Sequence, residues 1–248
     1  MEITSTDNKL IKHIASLHKK KYRDEYNEYI IEGIKSVKEA LQNNVEITHI
    51  IASDFNESLN TNLEIINVPS HIMEKISETK TPQGLLAVAK ITNSQLPDNA
   101  KRVLILDNLQ DPGNLGTIIR TADATAFDAI IISKNSVDLY SPKVVRSTMG
   151  SLFHLPIITN ANLEEELTNL KEKGFTIYMS LLDDDSKKLF EENLASPLAI
   201  VIGNEGNGIS KELIQFGDIK LKIPMLGKAE SLNASIAASI LMYETIRK

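Results

Sequence analysis

Apolar positions recur along the chain with two periods, and their alternation sets the expected elements. Within 9–23, "KLIKHIASLHKKKYR", Leu10, Ile11, Ile14 and Leu17 fall on one helical stripe, which predicts an amphipathic helix with a basic tail. Short strand patterns then alternate with helical ones. The order is "EYIIEG", "IKSVKEALQNN", "ITHIIAS", "LEIINVP", the helical "SHIMEKISE", and "GLLAVAKI". This reads as a small α/β domain over 1–93. Residues 94–101 lie in a polar stretch with Pro97 and no periodicity, and are expected to link it to a second domain over 102–248. From Val103 the strands become apolar on both faces ("VLILD", "AIIIS", "TIYMSLL", "LAIVIG") with helix-length segments between them, as a parallel sheet covered by helices requires. The last helix, expected from Ser231 to about Arg247, carries Ile236, Ile240, Tyr243 and Ile246 on one face.

Composition narrows the chemistry. The chain of 248 residues has no cysteine, which excludes disulfides, thiolate metal sites and cysteine nucleophiles, and suits a reducing cytosol. No apolar run approaches the roughly 20 residues that cross a bilayer, and "MEITSTDNKL" lacks the features of a signal peptide, so a cytoplasmic protein without membrane association is expected. The formal charge of −6 argues against wholesale coating of nucleic acid. Residues 9–23 nonetheless hold six Lys or Arg and no acid, so Lys19, Lys20, Lys21 and Arg23 are either a nucleic-acid contact or a solvated helix face.

Three loops of special composition follow strands of the second domain. In "LDNLQDPGNLGTIIRTADA" a turn at Pro112 and Gly113 leads to a helix expected near Leu115, with Asn114 able to cap it. Such a helix start suits an anion. Neither G-x-G-x-x-G nor a P-loop is present, which weakens both nucleotide-motif readings and disfavours a nucleotide-dependent oxidoreductase. "IVIGNEGNGIS" sets Glu205 among Gly203, Gly206 and Gly208, where a carboxylate would repel phosphate and suit a neutral or cationic ligand such as a sulfonium. "KIPMLGKAESLNASIAAS" passes through Pro224 and Gly227 to Ser231, read as the cap of the final helix. Any one loop could be an ordinary strand-to-helix turn. Three at strand ends point to a ligand, because open α/β sheets bind ligands there.

"NLGTIIRTADA", "IVIGNEGNGIS" and "IPMLGKAESLNASIAASILMYE" resemble, in order and spacing, the three motifs of the SpoU family of S-adenosylmethionine-dependent RNA ribose 2′-O-methyltransferases, within the SPOUT superfamily. "VVRSTMGSLFHLP" is similar to that family too. Upstream, "NKLIKHIASLHKKKYRDEYNEYIIEGIKSVKEAL" and "TPQGLLAV" resemble its small ribosomal-protein-like substrate-binding domain. The resemblance implies a parallel-sheet catalytic domain with a C-terminal trefoil knot, a homodimer, and RNA as substrate, ribosomal RNA ahead of transfer RNA. A noncatalytic RNA-binding relative is the alternative.

Carried over by position, the resemblance implies that Ile202, Gly203, Asn204, Gly208, Ile223, Met225, Ser231 and Leu232 hold S-adenosylmethionine, largely through backbone. Asn114, Arg120, Glu205, Ser231 and Asn233 would form the reactive cluster. Arg120 would hold an RNA phosphate and stabilise the developing alkoxide, since a protonated guanidinium is a poor base. Asn114, at the same turn, would position ribose or Arg120, and Glu205 would orient either of them or simply bind turn amides. None of the five His has metal-ligand spacing, so no metal is expected. His154, in apolar "LFHLP", reads as a packed core histidine. Ala126 stands where the family commonly has glycine; if that position is left-handed, alanine costs on the order of 1 kcal/mol there.

Overall fold

The computed structural model describes residues 1–247. In chain order the elements are α1 (Lys9–Ser16), α2 (Lys20–Tyr26), β1 (Glu28–Glu32), α3 (Ile34–Gln42), β2 (Ile47–Ala52), β3 (Ile65–Asn67), α4 (Ser70–Ile76) and β4 (Leu85–Lys90). There follow β5 (Arg102–Leu106), α5 (Pro112–Ala124), β6 (Ala129–Ser133), α6 (Pro142–Ser147), β7 (Ile157–Ala161), α7 (Leu163–Glu172) and β8 (Thr176–Ser180). The chain closes with β9 (Lys187–Lys188), β10 (Leu198–Ile202), α8 (Lys211–Ile214), β11 (Ile219–Lys222) and α9 (Ala234–Glu244).

Two compact units result. The first comprises Met1–Thr92 with Asp138–His154, the second Asn93–Val137 with everything from Leu155 onward. Residues 138–154, which the strand pattern assigned to the second domain, therefore pack in the first unit. The reason is visible in side chains: α6 buries Val144 and Val145, and Asp138 takes the guanidinium of Arg23.

The first unit is a four-stranded sheet in the order β1-β4-β2-β3, antiparallel except for the β2–β3 pair. Ile11, Ile14 and Leu17 are fully buried beside Ile30, Ile51, Ile72 and Val88. The apolar stripe does its expected work, but the single helix over 9–23 is broken into two. Leu17 and Lys19 turn the chain with N–H groups that bond Ile14 and Ser16, and α2 starts afresh at Lys20. That new direction carries Arg23 inward. It is 3% exposed, its Nη2 and Nε donate to Asp138 Oδ2 at 2.5 and 3.0 Å, and its Nη1 donates to the Leu17 carbonyl at 2.6 Å. Arg23 is thus a buried structural clamp, whereas the sequence pattern set it with the exposed cations of the basic run. His154 also departs from expectation: it is exposed, and its Nε2 lies 2.8 Å from Glu39 Oε1.

The second unit is a seven-stranded parallel sheet, in the order β7-β6-β5-β10-β8-β11-β9. Its central strands β5, β6 and β10 are buried at nearly every position, which explains their apolar runs. The edge strands β7 and β9 lack such runs because one side faces solvent. Ala126 adopts φ 52°, so the position is left-handed, as the missing glycine suggested.

Candidate active site

The site is assembled at the carboxyl ends of β10, β11 and β5. After β5 the chain does not cap α5 with Asn114. Asp111 caps it, its Oδ1 accepting the Asn114 N–H at 2.8 Å, and Pro112 occupies the first turn, where no N–H is needed. The Asp-Pro pair was the signal in the sequence, and it moves the helix start three residues upstream of Leu115. Asn114, buried in the first turn, keeps its side-chain amide free for other partners.

Those partners come from far along the chain. Asn114 Nδ2 donates to Glu205 Oε1 at 3.0 Å, and Asn114 Oδ1 accepts from Asn233 Nδ2 at 3.0 Å. Asn233 Oδ1 in turn accepts from the N–H groups of Ser235 and Ile236 and from the Ser235 hydroxyl, capping α9. The polarity is forced along this series. A carboxylate only accepts, so Asn114 must donate to it and accept from Asn233, whose oxygen is then left for the helix amides. Asn233, not Ser231, is the cap of α9, and the helix begins three residues later than its pattern suggested.

Glu205 also accepts the backbone N–H of Asp111 at 3.1 Å and of Gln110 at 3.2 Å. Burial raises its carboxyl, but the bonds from Asn114 and from the backbone, including Asp111 and Gln110, together outweigh it, and the carboxyl titrates below the ordinary glutamate range. The turn-carboxylate role and the orienting role of Glu205 are therefore one arrangement.

The loop 204–208 closes on itself through reciprocal Asn204–Gly208 backbone bonds of 2.9 and 3.0 Å. A Cβ on Gly203 would lie 2.1 Å from the Gly208 carbonyl carbon, and Gly208 sits at φ +69°. Both glycines are thus required by the loop's own backbone. Asn204 is likewise a staple: its Nδ2 donates to the Asn108 carbonyl at 2.8 Å and its Oδ1 accepts from Gly206 and Asn207.

Beside this loop lies a cleft of about 580 Å³, within the size range of small-molecule sites. Every residue assigned to the cofactor, from Ile202 to Leu232, lines it. Ile223, Met225 and Leu232 supply apolar wall, while Asp183, Glu205 and Glu230 bring carboxylates to its rim. An apolar wall beside acidic groups fits a ligand with a flat ring and a cationic centre. Ser231 is exposed at this cleft and shapes its wall.

Arg120 stands apart. It lies on α5 six residues beyond Asn114, roughly 9 Å along the axis, so the two do not share a turn. Its side chain is exposed and has no hydrogen bond or ion pair among the described residues. The structure brings Asn114, Glu205 and Asn233 together, sets Ser231 at the adjoining cleft, and leaves Arg120 free on the helix surface. Among the described residues, no three His, Asp or Glu side chains converge as a metal site, and no helix is long and apolar enough to cross a membrane.

Residues 101–243 match the SpoU rRNA Methylase family and residues 8–87 the MRM3-like substrate binding domain. The 23S rRNA (guanosine(2553)-2′-O)-methyltransferase RlmP of Bacillus subtilis is 36% identical over 98% of both chains. A putative RNA methyltransferase of the TrmH family from Porphyromonas gingivalis superposes with a TM-score of 0.86 at 33% identity, covering 95% of this chain and 96% of its own. The AdoMet-bound rRNA methyltransferase of Sinorhizobium meliloti gives 0.87 at 30% identity, covering 99% and 97%. The fold is that of a SPOUT RNA methyltransferase. Within that class, the chain belongs to the SpoU rRNA methylase family.

Proposed function

We propose that this protein methylates a ribose 2′-hydroxyl of ribosomal RNA. The enzyme is an S-adenosylmethionine-dependent RNA methyltransferase, and that cofactor belongs in the 580 Å³ cleft walled by Gly203, Ile223, Met225 and Leu232. When bound, S-adenosylmethionine supplies an electrophilic methyl group. The chain's own residues must present the hydroxyl and deal with its proton. Glu205, held by three donors, fixes Asn114 and through it Asn233, so hydrogen bonds tie together the helix that follows β5, the loop after β10 and the start of α9. Arg120, free of protein partners, is left to bind the anionic RNA backbone and to stabilise negative charge on the ribose oxygen. Lys19, Lys20 and Lys21 are exposed in the first unit and suit phosphate contacts.

The observation that carries this reading is the junction of that cleft with the Glu205–Asn114–Asn233 series at the sheet's carboxyl edge. The reading takes in a trefoil knot near the C-terminus, supported by the likeness to SpoU-fold enzymes, and a homodimer. Ile236, Tyr243 and Ile246 of the last helix region are 48%, 54% and 42% exposed, an apolar surface suited to a second copy. It also takes in a cytoplasmic location, supported by a ribosomal substrate.

The test is transfer of labelled methyl from S-adenosylmethionine to total RNA from cells lacking the protein, followed by mapping of the modified ribose. Label confined to 23S rRNA at a 2′-oxygen is expected. Label on a base, on transfer RNA or on no RNA would overturn the assignment.

A further inference from the structure

The first unit carries an aromatic group that the phosphate contacts leave unexplained. On α2, one turn apart, the rings of Tyr22 and Tyr26 lie nearly parallel, with centroids 6.1 Å apart and planes at 10°. The imidazole of His13, from α1, meets Tyr26 edge-on at 4.6 Å and 63°. These rings are not core: Tyr26 is 39% exposed, and Tyr22 and His13 are half-buried.

The group is braced from behind. His13 Nε2 lies 2.6 Å from Glu28 Oε2, and the other oxygen of Glu28 receives Lys90 Nζ at 2.9 Å. Glu28 is itself buried in β1, so the imidazole that supports Tyr26 is anchored to the sheet. One cation lies against these rings, and others are carried on the same two helices. Lys21 Nζ lies 5.5 Å from the Tyr22 centroid, and Lys9, Lys19 and Lys21 have no ion pair among the described residues, whereas Lys12 and Lys20 are tied to Asp7 and Asp24.

We propose that Tyr22 and Tyr26, braced by His13, form a stacking platform for unpaired bases of the substrate RNA, with Lys19 and Lys21 holding the adjoining phosphates. The inference rests on the RNA methyltransferase reading and deepens it, because it says that this surface reads a single strand. Every base offers a π face, while bases inside a duplex are already stacked. Parallel, partly exposed rings on a helix with unpaired lysines complement a polyanion with free bases better than an acidic or apolar protein surface. The cation count sets the salt dependence of binding, and the rings set its strength at any given salt. The two contributions are therefore separable by experiment.

The assay is fluorescence anisotropy of the full-length protein with a labelled single strand of about 12 nucleotides, within the usual footprint of such sites, and with a duplex of equal length, over a salt series. Tyr22→Ala with Tyr26→Ala should weaken single-strand binding by roughly 10- to 100-fold at every salt concentration, with the slope unchanged. The Tyr→Phe pair should restore it, and duplex affinity should stay at the wild-type value. Lys19→Ala with Lys21→Ala should instead flatten the single-strand slope by up to about 1.4 units. Retained duplex affinity and rescue by the Tyr→Phe pair distinguish loss of the platform from loss of the first unit's fold, and S-adenosylmethionine affinity, which reads the second unit, should be the same in all variants. Wild-type single-strand affinity in the Tyr→Ala pair, or equal losses for single strand and duplex, would overturn the platform. Methyl transfer to ribosomal RNA by the wild type tests the underlying reading separately.

Discussion

Replacing Ala126 with glycine should stabilise the second unit, although it removes a side-chain atom. Helix α5 ends in a closed pair of backbone bonds: Phe127 N–H to the Ala122 carbonyl at 2.9 Å, and Ala126 N–H to the Asp123 carbonyl at 3.0 Å. This is the Schellman arrangement, which places Ala126 at the position where glycine is favoured. Its φ of 52° costs an alanine roughly 1–2 kcal/mol, because Cβ crowds the following carbonyl. Glycine relieves that strain but gives back about 0.4–1 kcal/mol through its freer unfolded chain. Ala126 is exposed, so little burial is lost, and the net gain lies between about 0 and 1.6 kcal/mol, centred on about 0.8.

Urea unfolding of wild type and Ala126→Gly, followed by a probe in the second unit, should show a higher midpoint with an unchanged slope. Ala124→Gly is the internal control. That residue is also exposed but sits in the last turn of α5 with right-handed geometry, where glycine costs up to about 1 kcal/mol. Opposite signs two residues apart are expected. If both substitutions destabilise, left-handed strain does not control this helix end.

Four further outcomes are expected. Arg120→Ala should reduce methylation about 100-fold or more with S-adenosylmethionine affinity nearly intact, because the side chain does not line the cleft; unchanged turnover would remove it from the mechanism. Leu232→Glu should abolish cofactor binding in calorimetry by placing a charge on the apolar wall, and wild-type affinity would move the site elsewhere. Arg23→Ala should destabilise the first unit by about 2–4 kcal/mol, since it strands Asp138, while leaving the salt dependence of RNA binding as in wild type; a loss of about one unit of slope would make it a phosphate contact after all. Because the folded state depresses the Glu205 carboxyl, its contribution to loop order is complete above the unfolded-state value and disappears as pH falls through the lower folded value. An NMR titration should therefore place Glu205 below ordinary glutamates, and Asn114→Ala should move it up toward them.

The sequence by itself determined the central strands of the parallel sheet and the kind of ligand. Strands apolar on both faces demand a parallel sheet with helices on each side, and glycine-rich turns after such strands mark where a ligand enters, because both follow from local periodicity and backbone freedom. Motif order then carried the family. Local pattern could not say which polar groups meet. Glu205 and Asn114 are 91 residues apart and Asn114 and Asn233 are 119 apart, so their amide polarity is set only when three loops converge. The same holds for Arg23, which reads as one more cation in a basic run until Asp138, 115 residues away, draws it into the protein. The caps of α5 and α9 were open for a smaller reason: neighbouring Asp, Asn and Ser side chains can each satisfy free amides, and tertiary contacts select the one whose remaining polar atom is needed elsewhere. Asn114 was released from capping so that Glu205 could hold it.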